Sequence, residues 1–314
     1  MKHLFIVNPA AGKAGNEGAL LEQIDRLDLD SVVVHTQRQE EACEIARAAA
    51  QTGEPLRIYA CGGDGTLNEV INGVAGLDHV AVTNVPLGTG NDFLKMFGPE
   101  NKDRFSQLEA LSQGPQVAMD LMECNGKLGL DIFCAGVDAR IAADVHKYRR
   151  LPLVRGIGAY ILSLIANVLF KGISRPTRVE AGDFSYEGET TIVCVCNGRY
   201  YGGGFMPVGD NLPDDGKLEM LVVPKVSRRT FFRLVGEYAK GRYRQHPDLI
   251  TAVEGIEFTI SAPDPIVAVV DGETLENTRY HIRLSEKKVN FFYPQGLSYQ
   301  PRVEGRISTR AVTL

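Results

Sequence analysis

Over its first 115 residues the chain alternates four short aliphatic runs, at 4–7, 31–35, 56–60 and 80–85, with amphipathic stretches at 17–27, 40–51, 65–75 and 102–112. Near-continuous apolar runs suit strands buried on both faces, and helix-length connections suit parallel pairing. The order therefore predicts a doubly wound parallel sheet with helices on both faces. In such a sheet, ligands bind outside the carboxyl ends of the strands. The loops expected at that edge are rich in glycine and small polar residues. Asn8-Pro9-Ala10-Ala11-Gly12 follows the first run, and Thr36 ends the second. Gly62-Gly63-Asp64-Gly65-Thr66-Leu67-Asn68 follows the third, and Pro86-Leu87-Gly88-Thr89-Gly90-Asn91-Asp92 the fourth.

The third loop carries the clearest chemistry. Its glycines let the backbone approach an anion, and the helix that follows presents unpaired N–H groups at the positive end of its dipole. Asp64 can hold an accompanying Mg²⁺, and Thr66 can add a hydroxyl contact. Read alone, the same residues also fit a strand–helix turn whose glycines serve only positive φ.

With 314 residues the chain is longer than one core usually supports, which predicts two domains, at 1–120 and 121–293. Its hydrophobic and charged fractions, 44% and 23%, are those of an ordinary globular protein, and a net charge of −5 argues against a nucleic-acid partner. The six cysteines form no C-x-x-C pair and several sit in apolar runs, so they are expected to be reduced and buried. The first apolar run is too short for a signal peptide, which gives a cytoplasmic expectation.

After Gly114-Pro115 the texture changes to shorter, alternating, turn-punctuated segments at 116–123, 127–133, 178–186, 190–196, 217–223, 255–261, 266–270, 279–284 and 289–293. These predict a mostly antiparallel β domain interrupted by helical inserts at 138–171 and 227–241. The tail, 294–314, has few large apolar residues and is expected to pack back on the first domain or to be loosely ordered.

Taken together, six stretches resemble the diacylglycerol kinase catalytic-domain family, in particular its soluble bacterial lipid kinases. They are Asn8-Pro9-Ala10-Ala11-Gly12, Gly62-Gly63-Asp64-Gly65-Thr66-Leu67-Asn68-Glu69-Val70, Pro86-Leu87-Gly88-Thr89-Gly90-Asn91-Asp92-Phe93, Gly202-Gly203-Gly204, Asp215-Gly216-Lys217-Leu218 and Asp271-Gly272-Glu273. The likeness runs through nearly the whole chain. It implies a nucleotide domain followed by an antiparallel β-sandwich, with the active site in the cleft between them. ATP would lie along Asn8, Pro9, Ala10, Ala11 and Gly12, at Thr36, along Gly62, Gly63, Asp64, Gly65, Thr66, Leu67 and Asn68, and at Thr89. Mg²⁺ would sit near Asp64 and Asp92, with Lys13 in reach of a phosphate. Glu273 matches the family's general base, and Asp271 shares its turn; from the residues alone, Asp-Gly is equally an acidic hairpin turn. The resemblance further implies a structural Mg²⁺ on the Asp215 carboxylate and the carbonyls of Leu212 and Lys217, where Pro-Asp-Asp-Gly alone reads as a turn.

An acceptor of this class is a lipid hydroxyl, which implies peripheral contact with a membrane surface. The longest apolar stretch, 157–170, is too short to span about 30 Å of hydrocarbon. It is flanked by Lys147, Arg149, Arg150 and Arg155 on one side and Lys171, Arg175 and Arg178 on the other, which suits an anionic surface. Arg228-Arg229 with Phe231-Phe232 offers a second such combination. Its stripe of Ile157, Ile161, Leu164, Ile165, Val168 and Leu169 equally suits a helix that covers a sheet. An NAD kinase, and a non-catalytic nucleotide- or lipid-binding protein on the same fold, are the alternative functions. A homodimer is left open, as is the identity of the lipid.

Overall fold

The computed structural model describes residues 1–11, 16–88, 90–149, 157–299, 302–303 and 306–307, with backbone alone at 16, 146–149, 157–161, 302–303 and 306–307. The chain divides into two compact units. The first holds Met1–Leu121, Leu212–Asp214 and Ser285–Leu314; the second holds Met122–Asn211 and Asp215–Leu284. Residues 285–293, expected with the second domain, thus cluster with the first.

In the first unit, β1 (Lys2–Val7), α1 (Asn16–Arg26), β2 (Ser31–His35), α2 (Glu41–Ala50), β3 (Leu56–Gly62), α3 (Asp64–Val74) and β4 (Val80–Pro86) follow in strict alternation. The strands pair in parallel in the order β4-β3-β1-β2, and the end of β13 (Glu273–Phe292) adds to β4, also in parallel. Burial follows position in the sheet. β3, in the interior, is almost wholly buried, whereas the edge strand β2 leaves Val32 exposed. β2 and β3 lie on opposite sides of β1, an order in which α/β sheets take ligands at the strands' carboxyl ends.

One expectation fails locally. The stretch 102–112 is not a single helix: 3₁₀ turns span Phe93–Phe97 and Pro99–Ser106, and only α4 (Leu108–Ser112) is α-helical. Gly98, at φ 100°, and Pro99 break the winding, and each turn buries aromatic residues, Phe93, Phe97 and Phe105. The tail through Tyr299 packs on this unit. Tyr299 is buried, stacks edge-on to Phe97 and donates a 2.6 Å hydrogen bond to Asp214.

The second unit is β-rich and antiparallel. β6 (Lys127–Gly129), β7 (Ile132–Gly136), β8 (Arg175–Ala181), β9 (Phe184–Cys196), β10 (Leu218–Pro224), β11 (Thr251–Gly255), β12 (Glu257–Val270) and the first part of β13 belong to it, with the end of β5 (Gln116–Cys124). The strand order is β11-β10-β9-β7-β12-β13, with β8 between β9 and β12. Alternation sorts its side chains onto two apolar faces. Phe133, Val193, Val195, Met220 and Val222 enter one core, while Ile132, Cys194, Leu221 and Val223 enter another with Val137 and Ile141 of α5 (Val137–Arg149), Val168 of α6 (Ile157–Phe170), and Phe231 and Tyr238 of α7 (Arg228–Tyr238).

Several expected strands divide or merge. The run 127–133 breaks at Leu130-Asp131, and 178–186 turns at Gly182, φ 55°. Segments 255–261 and 266–270 join as β12 around an irregularity between Ser261 and Ile266, and 279–284 and 289–293 are both parts of the 20-residue β13. β11 was not anticipated.

Close helix packing sets the position of α3, whose first turn begins the glycine loop. A Cβ at Gly73 would lie 2.6 Å from the carbonyl oxygen of Cys43 on α2, whereas one at Gly236 in α7 meets nothing within 4 Å. Both glycines are helical, so alanine should act with opposite sign. We expect Gly73→Ala to destabilise the protein by about 1–3 kcal/mol and Gly236→Ala to stabilise it by up to about 1 kcal/mol, read by urea unfolding.

Candidate active site

Four loops meet at the carboxyl edge of the parallel sheet because all four strands point the same way. Asn8 follows β1: its amide donates to Cys61 O of β3 at 2.9 Å, and its side-chain Nδ2 donates to Thr66 Oγ1 at 3.1 Å. The other end of that side chain turns the loop, since Asn8 Oδ1 accepts Ala10 N–H at 3.0 Å. Thr36, at the end of β2, is buried and donates its amide to Val7 O at 2.9 Å. An open pocket of about 360 Å³ lies here, lined by Asn8, Pro9, Ala10, Thr36 and Thr66 together with Arg38 and Glu69, a volume within the usual range for small-ligand sites.

The carbonyl of Gly62 gathers the fourth loop. It accepts the amides of Leu87 at 3.1 Å and Gly88 at 3.2 Å, and Nδ2 of Asn91 at 2.9 Å. Asn91 is fully buried at φ 54° and also donates to Asn84, which in turn donates to Ala60 O. Asp64, the first residue of α3, accepts the amide of Asp92 at 2.6 Å and lies where a side chain on Gly90 would be, 2.7 Å from its Cβ position. Asp92 is ion-paired with Lys95, and Lys102 donates to Gly90 O at 3.0 Å. Burial, followed by the neighbouring charge of Lys95, holds the pKa of Lys102 below the ordinary lysine value.

The glycines of the third loop fall into two kinds. Gly62 is required by packing, because a Cβ there would be 2.3 Å from Thr66 Oγ1. Gly63 and Gly65 are required by neither packing nor φ: nothing lies within 4 Å of either Cβ position, and no side chain caps α3. Bare space over the uncapped start of a helix suits an anion. Leu67 belongs instead to the core, 3% exposed, with its amide bonded to Gly63 O. Asn68 is buried and accepts from Asn72. Gly12, Lys13 and Thr89 lie outside the described residues, as do Arg150 and Arg155.

In the second unit the acidic turn is tightly built. Asp271 and Gly272 take φ 47° and 91°. The Asp271 carboxylate accepts three consecutive amides, Leu130 at 2.5 Å, Asp131 at 3.1 Å and Ile132 at 2.9 Å, which is what interrupts the strand at 130–131. Its oxygens are thereby spent on fixing the turn. Glu273, the next carboxylate on, has a side chain 17% exposed and a 2.6 Å ion pair to Lys127.

The expected structural cation set is divided between the units, Leu212 in the first and Asp215 and Lys217 in the second. Asp215 Oδ1 accepts Lys217 N–H at 3.1 Å, an Asx turn that accounts for the bend at Gly216, φ 74°. Asp64 and Asp92, joined by the Asp92 N–H bond to Asp64, carry hard carboxylate oxygens of the kind Mg²⁺ takes alongside phosphates and waters.

The structure adds residues that sequence reasoning passed over. Asn84, Lys95 and Lys102 carry no motif. In the second unit, Gly202, Gly203 and Gly204 all have positive φ and close a loop in which Tyr201 and Phe205 exchange both backbone hydrogen bonds at 2.9 Å. That loop aims the Tyr201 hydroxyl at buried Asp138, 3.0 Å away, beside Tyr238. Burial pushes the Asp138 carboxyl up to about 6, against the opposing pull of Ala139 N–H and the Tyr201 hydroxyl.

Two family models match the chain. The first, described as the diacylglycerol kinase catalytic domain, covers residues 2–124; the second, the YegS C-terminal NAD kinase beta sandwich-like domain, covers residues 131–292. The chain belongs to the diacylglycerol kinase catalytic-domain family, in its bacterial YegS-like branch. A Pseudomonas aeruginosa protein named "Probable lipid kinase YegS-like" is 30% identical over 76% of this chain and 77% of its own length. One of the same name from Enterobacter sp. is 27% identical over 93% and 95%. The fold is also that of a crystal structure described as a "putative diacylglycerol kinase" from Bacillus anthracis, with a TM-score of 0.75 at 24% identity and coverage of 95% and 97%.

A carboxyl whose folded pKa lies above its unfolded value of 3.8 binds its proton more tightly when folded. The fold is therefore penalised as pH rises through about 6, and the penalty vanishes below the unfolded value. Asp138→Asn keeps an acceptor for Tyr201 without the charge. We expect it to raise the melting temperature at pH 8, by an amount equivalent to up to about 3 kcal/mol, and the gain to disappear near pH 4.

Proposed function

We propose that this protein is an ATP-dependent lipid kinase that transfers the γ-phosphoryl group to the hydroxyl of diacylglycerol or a related lipid. The observation that carries this reading is the bare, uncapped start of α3 at Gly63 and Gly65, ringed by Asn8, Thr66, Asp64 and the Gly62-anchored fourth loop. Triphosphate oxygens would accept the amides of that first turn, with Thr66 and Asn8 as side-chain donors. The adenosine would occupy the pocket beside Thr36. Mg²⁺, held at Asp64 and Asp92, would neutralise charge on the β- and γ-phosphates. Lys95 and Lys102 set positive charge beside the same carboxylates.

The second unit supplies the proton acceptor. As the acceptor oxygen bonds to the γ-phosphorus, the bond from that phosphorus to the β,γ-bridging oxygen breaks, ADP departs, and the hydroxyl proton passes to Glu273. Lys127 orients the Glu273 carboxylate, and Asp271 acts as a positioning residue by locking the turn on three amides. No described helix is long and apolar enough to cross a membrane, so the lipid would be met at a bilayer surface.

The second family model carries NAD kinase in its description, so NAD belongs among the acceptors to be tried. With ATP and Mg²⁺, the acceptors are diacylglycerol, sphingosine, undecaprenol, phosphatidylglycerol and NAD. Phosphorylation of a lipid is expected, and phosphorylation of NAD alone would replace this reading with the other. Glu273→Gln should lower kcat by about 10²–10⁴-fold and leave ATP affinity nearly unchanged; an active variant would remove Glu273 from the base role.

A further inference from the structure

The second unit holds a cavity of about 140 Å³ remote from the acidic turn, lined by Arg140 of α5, Arg175 and Thr177 of β8, Thr190 of β9 and Ile266 of β12. Its lining residues nearest that turn, Val267 and Ala135 opposite Ala268, stand four and three residues back from Asp271, roughly 10–13 Å along strands that rise about 3.3 Å per residue. The cavity is therefore a site of its own.

Among the described residues its lining carries two guanidinium groups and no carboxylate. Arg140 donates to the carbonyls of Gly172 at 2.6 Å and Lys171 at 3.4 Å, and Arg175 to those of Lys171 at 3.0 Å and Ser174 at 2.9 Å. The acids in the neighbourhood have other partners: Asp144 is paired with Lys171, Glu189 with Lys225, and Asp138 is bonded by Tyr201. Burial and then the charge of Arg175 pull the Arg140 pKa down to about 10. The Nε of Arg140 is buried without a hydrogen-bond partner among the described residues. Thr177 and Thr190 share one hydrogen bond at 2.8 Å, so one of their two hydroxyl protons is available to a further acceptor. Two guanidinium groups and a hydroxyl donor around a small cavity suit a tetrahedral oxyanion, which satisfies the orphaned Nε–H and the desolvated charge together.

The surroundings indicate where such an anion comes from. The carbonyls that Arg140 and Arg175 hold belong to the turn directly after α6, where Leu169 and Phe170 are 46% and 82% exposed. Arg228 of α7 donates to Val168 O at 2.7 Å, and Phe232, one turn further along α7, is 43% exposed. Exposed apolar side chains beside a cationic cavity match the boundary between headgroups and acyl chains. The helix α6 thus does both jobs its sequence allowed: Val168 joins the core while Ile165, Leu169 and Phe170 face outward.

We propose that this cavity binds the phosphate of an anionic phospholipid headgroup, with Leu169, Phe170 and Phe232 entering the lipid surface. The site goes beyond the kinase reading and is tested without ATP, so the two stand or fall separately.

The full-length protein is sedimented with vesicles of phosphatidylcholine alone or of phosphatidylcholine with phosphatidylglycerol, and titrated with inorganic phosphate while the arginine Nε–H signals are followed by NMR. Two variants leave Arg140 itself in place. Arg175→Gln removes an exposed charge; Thr177→Val/Thr190→Val replaces both partners of one hydrogen bond by groups of similar shape, without a change of charge. We expect binding to the phosphatidylglycerol vesicles, weakened about tenfold in each variant at unchanged melting temperature, and a phosphate-dependent shift of the Arg140 signal. A phosphate response with vesicle binding untouched by either variant would overturn the lipid source in favour of free phosphate. No response to phosphate and no effect of the variants would overturn the site.

Discussion

The carbonyl oxygen of Gly62 is the fixed point of the nucleotide half of the molecule. It ends β3, and three donors from the fourth loop converge on it, two amides and the Asn91 side chain. Nothing larger than glycine fits there, because Thr66 Oγ1 occupies the position a Cβ would need, and Thr66 is itself held by Asn8 across the top of β1 and β3. The consequence is that three loops, from three different strands, share one hydrogen-bonded network. Buried polar networks of this kind are costly when incomplete and specific when satisfied. Here the network fixes where Asp64 and the first turn of α3 stand.

A comparable economy governs the acidic turn. Asp271 draws on three amides in a row, which costs β6 and β7 their continuity at Leu130-Asp131 but sets two positive-φ residues rigidly before Glu273. Of the two carboxylates in the motif, Asp271 holds the backbone on three amides, and Glu273 is the one to which the proposed reaction gives the proton. Both halves of the proposed reaction thus depend on side chains that bond to main chain rather than to substrate.

Much of this was legible in the sequence, for physical reasons. Parallel interior strands must be apolar on both faces, so β1, β3 and β4 stood out as runs, and the alternation with amphipathic stretches fixed their order. The loops were legible because close backbone approach leaves glycine few substitutes. What was hidden depends on distant partners. The 3₁₀ turns at 93–106 follow from aromatic burial that no local period reveals, and Lys102 reaches Gly90 O only through that packing. Asn84 lies within an apolar run, and only the fold shows it bonded to Ala60 and Asn91. The double face of the second unit's sheet blurred its strands, since apolar residues on both sides conceal the alternation that separates them. The Arg140 cavity, assembled from a helix and four strands, has no sequence signature at all.

Gly63 and Gly65 offer the most direct test of the account, because the protein itself has room for a side chain at both. Equilibrium binding of ATP with Mg²⁺ should be measured for Gly63→Ala and Gly65→Ala beside their melting temperatures. The account predicts folded proteins, with Gly65→Ala as stable as the parent or more so, and ATP affinity reduced tenfold or more, about 1.4 kcal/mol. Unchanged affinity in both variants would contradict it, since the space over the start of α3 would then not be where the phosphates lie.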